Sequence, residues 1–170
     1  MKLMTNSKPQ FVDKENLEEV EFEDDYFDKQ DLRVINILAP GKQRELEDVP
    51  SVNNETINCY CCYLKPKLKQ KLLLTGREAM GYFSWEERFE WGYGSQAEYN
   101  KLRKINASYQ DKYEFITLIH DTSSERIFAK ISRISDKKKF DIALEDLQVC
   151  KQGGEVWQLL EDYAYWFENC

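Results

Sequence analysis

At 170 residues, with 42% hydrophobic and 14% aromatic side chains, the chain is long enough for one core of ordinary size. No apolar run approaches the roughly 20 residues that span a bilayer. The formal net charge of −7 is unevenly placed: residues 13–31 hold ten acidic side chains against Lys14 and Lys29, which leaves the remainder close to neutral. That distribution argues against direct nucleic-acid binding, because phosphate affinity comes mainly from clustered lysine and arginine.

The opening MKLMTNSKPQ lacks the apolar core of a signal peptide, so the cytoplasm is the expected compartment. Residues 1–31 read as an acidic, flexible extension and 32–170 as a single α+β domain. Within the acidic segment, Leu17, Val20, Phe22, Tyr26 and Phe27 are interleaved with carboxylates, so it could be a solvated tail, cover a partner or supply ligands to a cation. LRVINIL, residues 32–38, has the β-branched character of a strand and stops at the Ala39-Pro40-Gly41 turn signal.

Asn53 and Asn54 can cap a helix that starts near Glu55 and buries Ile57, Tyr60, Cys61 and Leu64 at i, i+3, i+4, i+7 spacing. Pro66 should end it near Lys65, since proline has no amide hydrogen to donate. KLLLT, residues 71–75, reads as a short strand or edge segment. Ser84-Trp85-Glu86-Glu87 and Ser95-Gln96-Ala97-Glu98 each match the S-x-x-E capping box and predict two short helices around the WGYGS loop.

From Tyr113 the period changes to two. KYEFITLIH, RIFAKISRI and KKFDIALEDL predict three antiparallel strands joined by DTSSE and SDK turns, forming a curled sheet or small barrel. After Gly153-Gly154, the residues Val156, Leu159, Leu160, Tyr163, Ala164 and Phe167 make one apolar helical stripe with Trp157 and Trp166 beside it.

The five cysteines are an odd set in an expected reducing compartment, which favours free thiols. Cys59 and Cys62 have the C-x-x-C interval, but a closed zinc site needs four ligands, and only Cys150, Cys170 or His120 remain to complete one. Zinc is therefore disfavoured against packed or surface thiols, with Cys61 buried. A single histidine, the lack of a Walker loop, G-x-G-x-x-G or H-E-x-x-H phrase, and carboxylate pairs typical of helix surfaces point away from an enzyme.

Calcium needs six to eight oxygen ligands in tolerant geometry and can be bound without a linear motif. The EF-hand loop is absent. Glu23, Asp24, Asp25 and Asp28 are crowded enough that a divalent cation would relieve their repulsion. The aromatics Tyr82, Phe83, Trp85, Phe89, Trp91 and Tyr93 lie within twelve residues; most should be core, and the excess could mark a partner-binding patch.

Taken together, NNETINCYCCYLKPKL, LLLTG, FEWGYG with its following helix, AKISRISDKKKFDIALEDL and the closing QLLEDYAYWFEN resemble the small bacterial calcium-binding protein family typified by a cyanobacterial calcium regulator. The resemblance covers residues 50–169. It implies a small antiparallel SH3-like β-barrel with flanking helices, calcium on surface carboxylates and no catalysis. QKLLL stands where a Phe-Pro-Phe-like phrase is expected, Pro66 interrupts the first helix, and the acidic extension is outside the resemblance.

In the barrel region, Asp136, Asp141, Glu145 and Asp146 join the acidic segment as candidate calcium ligands, with ordinary turn and strand-end chemistry as the alternative for each. Two functions follow as expectations. One is a non-enzymatic acidic regulator that either binds calcium weakly or has inherited that fold for another use. The other is a protein-interaction module, such as an accessory subunit, an immunity-type inhibitor or a nucleic-acid mimic, acting through Phe22, Tyr26, Phe27, Trp85, Trp91 and Tyr93.

Overall fold

The computed structural model describes residues 29–42 and 48–170, and the architecture follows from which of these segments can bury a face. Helix α1 spans 29–38, α2 Asn54–Leu64, α3 Glu87–Glu90, α4 Gln96–Arg103 and α5 Glu155–Asn169. The strands are β1 Leu73–Gly76, β2 Tyr113–Asp121, β3 Arg126–Arg133, β4 Lys139–Ala143 and β5 Leu147–Val149. They form one antiparallel sheet in the order β4-β3-β2-β1-β5. The α+β expectation therefore stands; of the two forms expected for the sheet, an SH3-like barrel or a curled sheet, the barrel is not confirmed, since the sheet is not closed and β4 and β5 lie at its edges.

The predicted meander is β2-β3-β4. Its period-two pattern buries Tyr113, Phe115 and Leu118 on β2 and Ile127, Ala129 and Ile131 on β3. A register shift between Phe115 and Thr117 bends β2 over the core. Helix α2 lies against β2 and β3, and α5 against β5 and the turn that precedes it.

Helix α2 forms as its capping residues dictate: the Asn53 side chain accepts from the Glu55 and Thr56 amides, and the Thr56 hydroxyl accepts from the Asn53 amide. Its buried residues are Ile57, Tyr60, Cys61 and Leu64, the predicted stripe, and the helix stops just before Pro66. The Tyr60 ring stacks on Trp166 of α5 at 5.4 Å between centroids and meets Tyr163 edge-on at 5.2 Å. Trp166 is wholly buried and donates its indole N–H to the Pro50 carbonyl at 2.6 Å, so it belongs to the core stripe itself, whereas Phe167 is only half-buried.

Two local expectations are overturned. Residues 32–38 are helical, because Gln30, Val34 and Ile37 at i, i+4, i+7 spacing bury one face of α1. Arg33 on the same helix makes a bidentate bond to the buried Asp162 of α5, at 2.8 and 2.9 Å, and Gln158 donates to the same carboxylate. This tertiary pairing outweighs the strand preference of β-branched residues. The second concerns Ser84, which lies inside a 3-10 segment, Gly81–Glu86, and caps nothing; Met80 precedes that segment without a side-chain cap. The Ser95 box is half made: Ser95 accepts from the Glu98 amide, but the Glu98 carboxylate turns to Arg88.

All five cysteines are free, with Cys61 buried, Cys62, Cys150 and Cys170 exposed, and the Cys59 thiol directed at the Ile37 carbonyl at 3.4 Å. Among the described residues no helix is long and apolar enough to cross a membrane.

Candidate functional site

Strand β4 ends at Ala143, and one 3-10 turn, Leu144–Asp146, leads into β5. The tight 3-10 turn places Glu145 and Asp146 next to each other while Leu144 anchors the turn in the core. They line a cleft of about 660 Å³, walled by the segment after β1, by β3 and by the end of α5.

Arg77 holds that wall together. Its backbone N–H donates to the Asp146 carbonyl at 3.0 Å, its Nε to the Glu145 carbonyl at 2.9 Å, and its guanidinium reaches the Leu160 carbonyl and the Glu161 carboxylate on α5. One cation thus ties β1, the acidic turn and α5 into a fixed frame. Gly81 closes the other side, with φ of +53°; a Cβ there would stand 2.1 Å from Asp146 Oδ1. Only glycine permits that approach, which lets the Tyr82 amide donate to Asp146 Oδ2 at 3.0 Å.

The two carboxylates differ in how well they are satisfied. Asp146 has the Tyr82 amide, although burial still raises its carboxyl above the ordinary range. Glu145 is 6% exposed and is approached by Arg126 Nε at 3.3 Å on Oε1, while Oε2 is buried with no hydrogen-bond partner. Burial pushes its carboxyl up to about 7, opposed by a hydrogen bond to its own backbone and by the Arg126 charge, with the neighbouring charges of Asp146 and Glu168 adding to the rise. A half-satisfied buried carboxylate is costly, and the pairing to Arg126 is long for a charge-assisted bond.

The sequence-predicted residues separate here. Glu145 and Asp146 come together in the cleft. Asp141, two residues before the end of β4, is exposed and pairs across the sheet with Lys130 at 3.8 Å. Asp136 anchors the β3-β4 turn through a bidentate bond to the buried Arg133, at 2.9 and 2.7 Å, and that guanidinium holds its carboxyl down at about 2. Arg133 also bonds Asp111 and the Arg103 and Asn106 carbonyls, so Asp136 belongs to a structural network.

Glu23, Asp24, Asp25 and Asp28, with Phe22, Tyr26 and Phe27, lie outside the described residues. Trp85 is packed, stacked on Tyr99 at 5.6 Å and donating its indole N–H to the Ala107 carbonyl, whereas Trp91 and Tyr93 are 72% and 71% exposed. Sequence reasoning missed Arg77, Gly81, Arg126 and Glu168. Only the glycine carried a local hint, and the rest join the cleft through strand pairing and helix docking.

Among the described residues, no group of three or more histidine, cysteine, aspartate or glutamate side chains is arranged to hold a metal ion. No protein-family model matches the chain, and no curated protein matches it. A solved structure of a calcium binding protein in the calcium-binding form is similar in part, with 12% identity, a TM-score of 0.49, and coverage of 82% of this chain and 90% of that one.

Proposed function

We propose that the protein is a non-enzymatic, acidic regulator that takes up calcium at the Glu145–Asp146 turn. The observation that carries this reading is Glu145 Oε2, a buried carboxylate oxygen without a partner, beside a second carboxylate at the wall of an open cleft. A hard divalent cation would satisfy that oxygen and offset the mutual repulsion of Glu145, Asp146 and Glu168.

The two carboxylates supply up to four oxygens, and water completes the six to eight that calcium takes. Because no three-ligand cage stands ready among the described residues, the affinity belongs in the weak class, about 10⁻⁴ to 10⁻³ M. Binding favours the ionised form of Glu145, so occupancy rises with pH through about 7.

The test is calorimetric titration with calcium, with magnesium as control. Saturable, calcium-selective binding that is lost in Glu145→Gln/Asp146→Asn supports the reading. Absence of binding at millimolar calcium, or binding unchanged in that double variant, overturns it.

A further inference from the structure

On the far side of the 3-10 segment from the acidic turn, a second cleft of about 450 Å³ opens between α3, α4 and the loop that leads to β2. Its floor is finished structure. The Glu86 carboxylate is 1% exposed and accepts from the Tyr99 hydroxyl at 2.6 Å, the Ser108 hydroxyl at 2.9 Å and the Tyr109 amide at 2.8 Å. Its rim is unfinished. Arg88 pairs with Glu98 at 2.5 Å and Arg103 with Asp111 at 2.6 Å, leaving Glu90 exposed on the rim without an ion-pair partner among the described residues. Among the described residues Glu90 accepts from the Tyr109 phenol, an aromatic wall of the same cleft.

Beside this rim project Trp91 and Tyr93, more exposed than any other large apolar side chain among the described residues. Their loop is held in place: the Trp91 amide donates to Glu87, Gly92 to Phe89 and Tyr93 to Arg88, and Gly94, with φ of +113°, leaves no room for a Cβ, which would meet Phe89 at 2.5 Å. Two large rings kept in water on an ordered loop lose little conformational entropy when covered, and Trp and Tyr are favoured interface anchors.

We infer that this surface docks a basic segment of a partner protein, with a lysine or arginine side chain entering the cleft against Glu90 and Tyr109 while Trp91 and Tyr93 clamp the flanking residues. The sign of the partner follows from complementarity: the charged group on the rim without an ion pair among the described residues is the Glu90 carboxylate, and tyrosine and tryptophan faces attract cations.

The test uses the full chain and a hexa-arginine peptide, with hexa-glutamate as control, followed by the Trp91 indole resonance in NMR and by calorimetry. Because residues 13–31 are strongly acidic and would attract any polycation, the deciding comparison is between variants. Glu90→Gln/Trp91→Ser, whose sites are exposed and whose unfolding midpoint should match wild type, should weaken the peptide at least tenfold. Neutralising Glu23, Asp24, Asp25 and Asp28 to amides should leave the indole shift in place. An unshifted Trp91 indole, or equal affinity in Glu90→Gln/Trp91→Ser and wild type, overturns the inference. Neither outcome depends on calcium, so this surface and the Glu145 cleft stand or fall separately.

Discussion

Replacing Glu145 by glutamine removes the charge but keeps the shape, and the structure predicts that it stabilises the protein at alkaline pH. A carboxyl raised from its ordinary 4.5 to about 7 costs the folded state about 3 kcal/mol once it is ionised. The sign follows from the proton balance. Below about pH 4.5 both folded and unfolded chains hold the proton, and the cost is absent. Between about 4.5 and 7 the unfolded chain releases it first, so wild-type stability falls as pH rises, and above about 7 the full cost is present. Glu145→Gln should therefore exceed wild type by up to about 3 kcal/mol at pH 8, a midpoint gain of roughly 6 to 12 °C at this chain length. Near pH 4 the two should coincide. Arg126, left without its partner, remains 45% exposed and solvated. The assay is urea unfolding at several pH values in chelator. A difference that does not change with pH, or a glutamine variant less stable than wild type at pH 8, would refute the reasoning.

Calcium should reverse part of that cost, raising the wild-type midpoint more at pH 8 than at pH 6, while Glu145→Gln responds little at either pH; thermal unfolding in calcium against chelator reads this directly. Gly81→Ala should destabilise by about 1 kcal/mol or more and weaken calcium, since the new methyl group cannot coexist with Asp146 where it stands; denaturant unfolding and a calcium titration check both effects. Trp166→Ala should cost about 3 to 5 kcal/mol, because the wholly buried ring stacks on Tyr60 and its indole N–H is bonded to Pro50. In a thiol-labelling time course on native protein, Cys62 should react long before Cys61, which should label only on unfolding.

The acidic turn shows where legibility ended at the site. Glu145 and Asp146 are sequence neighbours, so their candidacy could be read from the chain. What makes Glu145 unusual is its surroundings, contributed by Arg77 after β1, Arg126 on β3 and Glu168 at the end of α5, between 19 and 68 positions away. Asp136, with the same residue-level credentials as Asp141 or Glu145, became a turn anchor because a buried arginine stood three positions before it. Carboxylate density alone could not distinguish these roles.

The sequence by itself determined α2, α5 and the β2-β3-β4 meander. Their apolar spacings are strongly periodic, and their boundaries carry local signals: Asn53, Pro66, the DTSSE and SDK turns and the paired glycines before α5. Only the tertiary structure decided α1, the 3-10 path around Ser84, the openness of the sheet and the state of Glu145. A seven-residue stretch rich in aliphatic side chains fits helix or strand until a tertiary partner is supplied, and for α1 one such partner is Asp162, 129 positions after Arg33. A carboxylate likewise has no fixed pKa until distant elements remove its water, which is why the candidate ligands could be named from the chain but their chemistry could not.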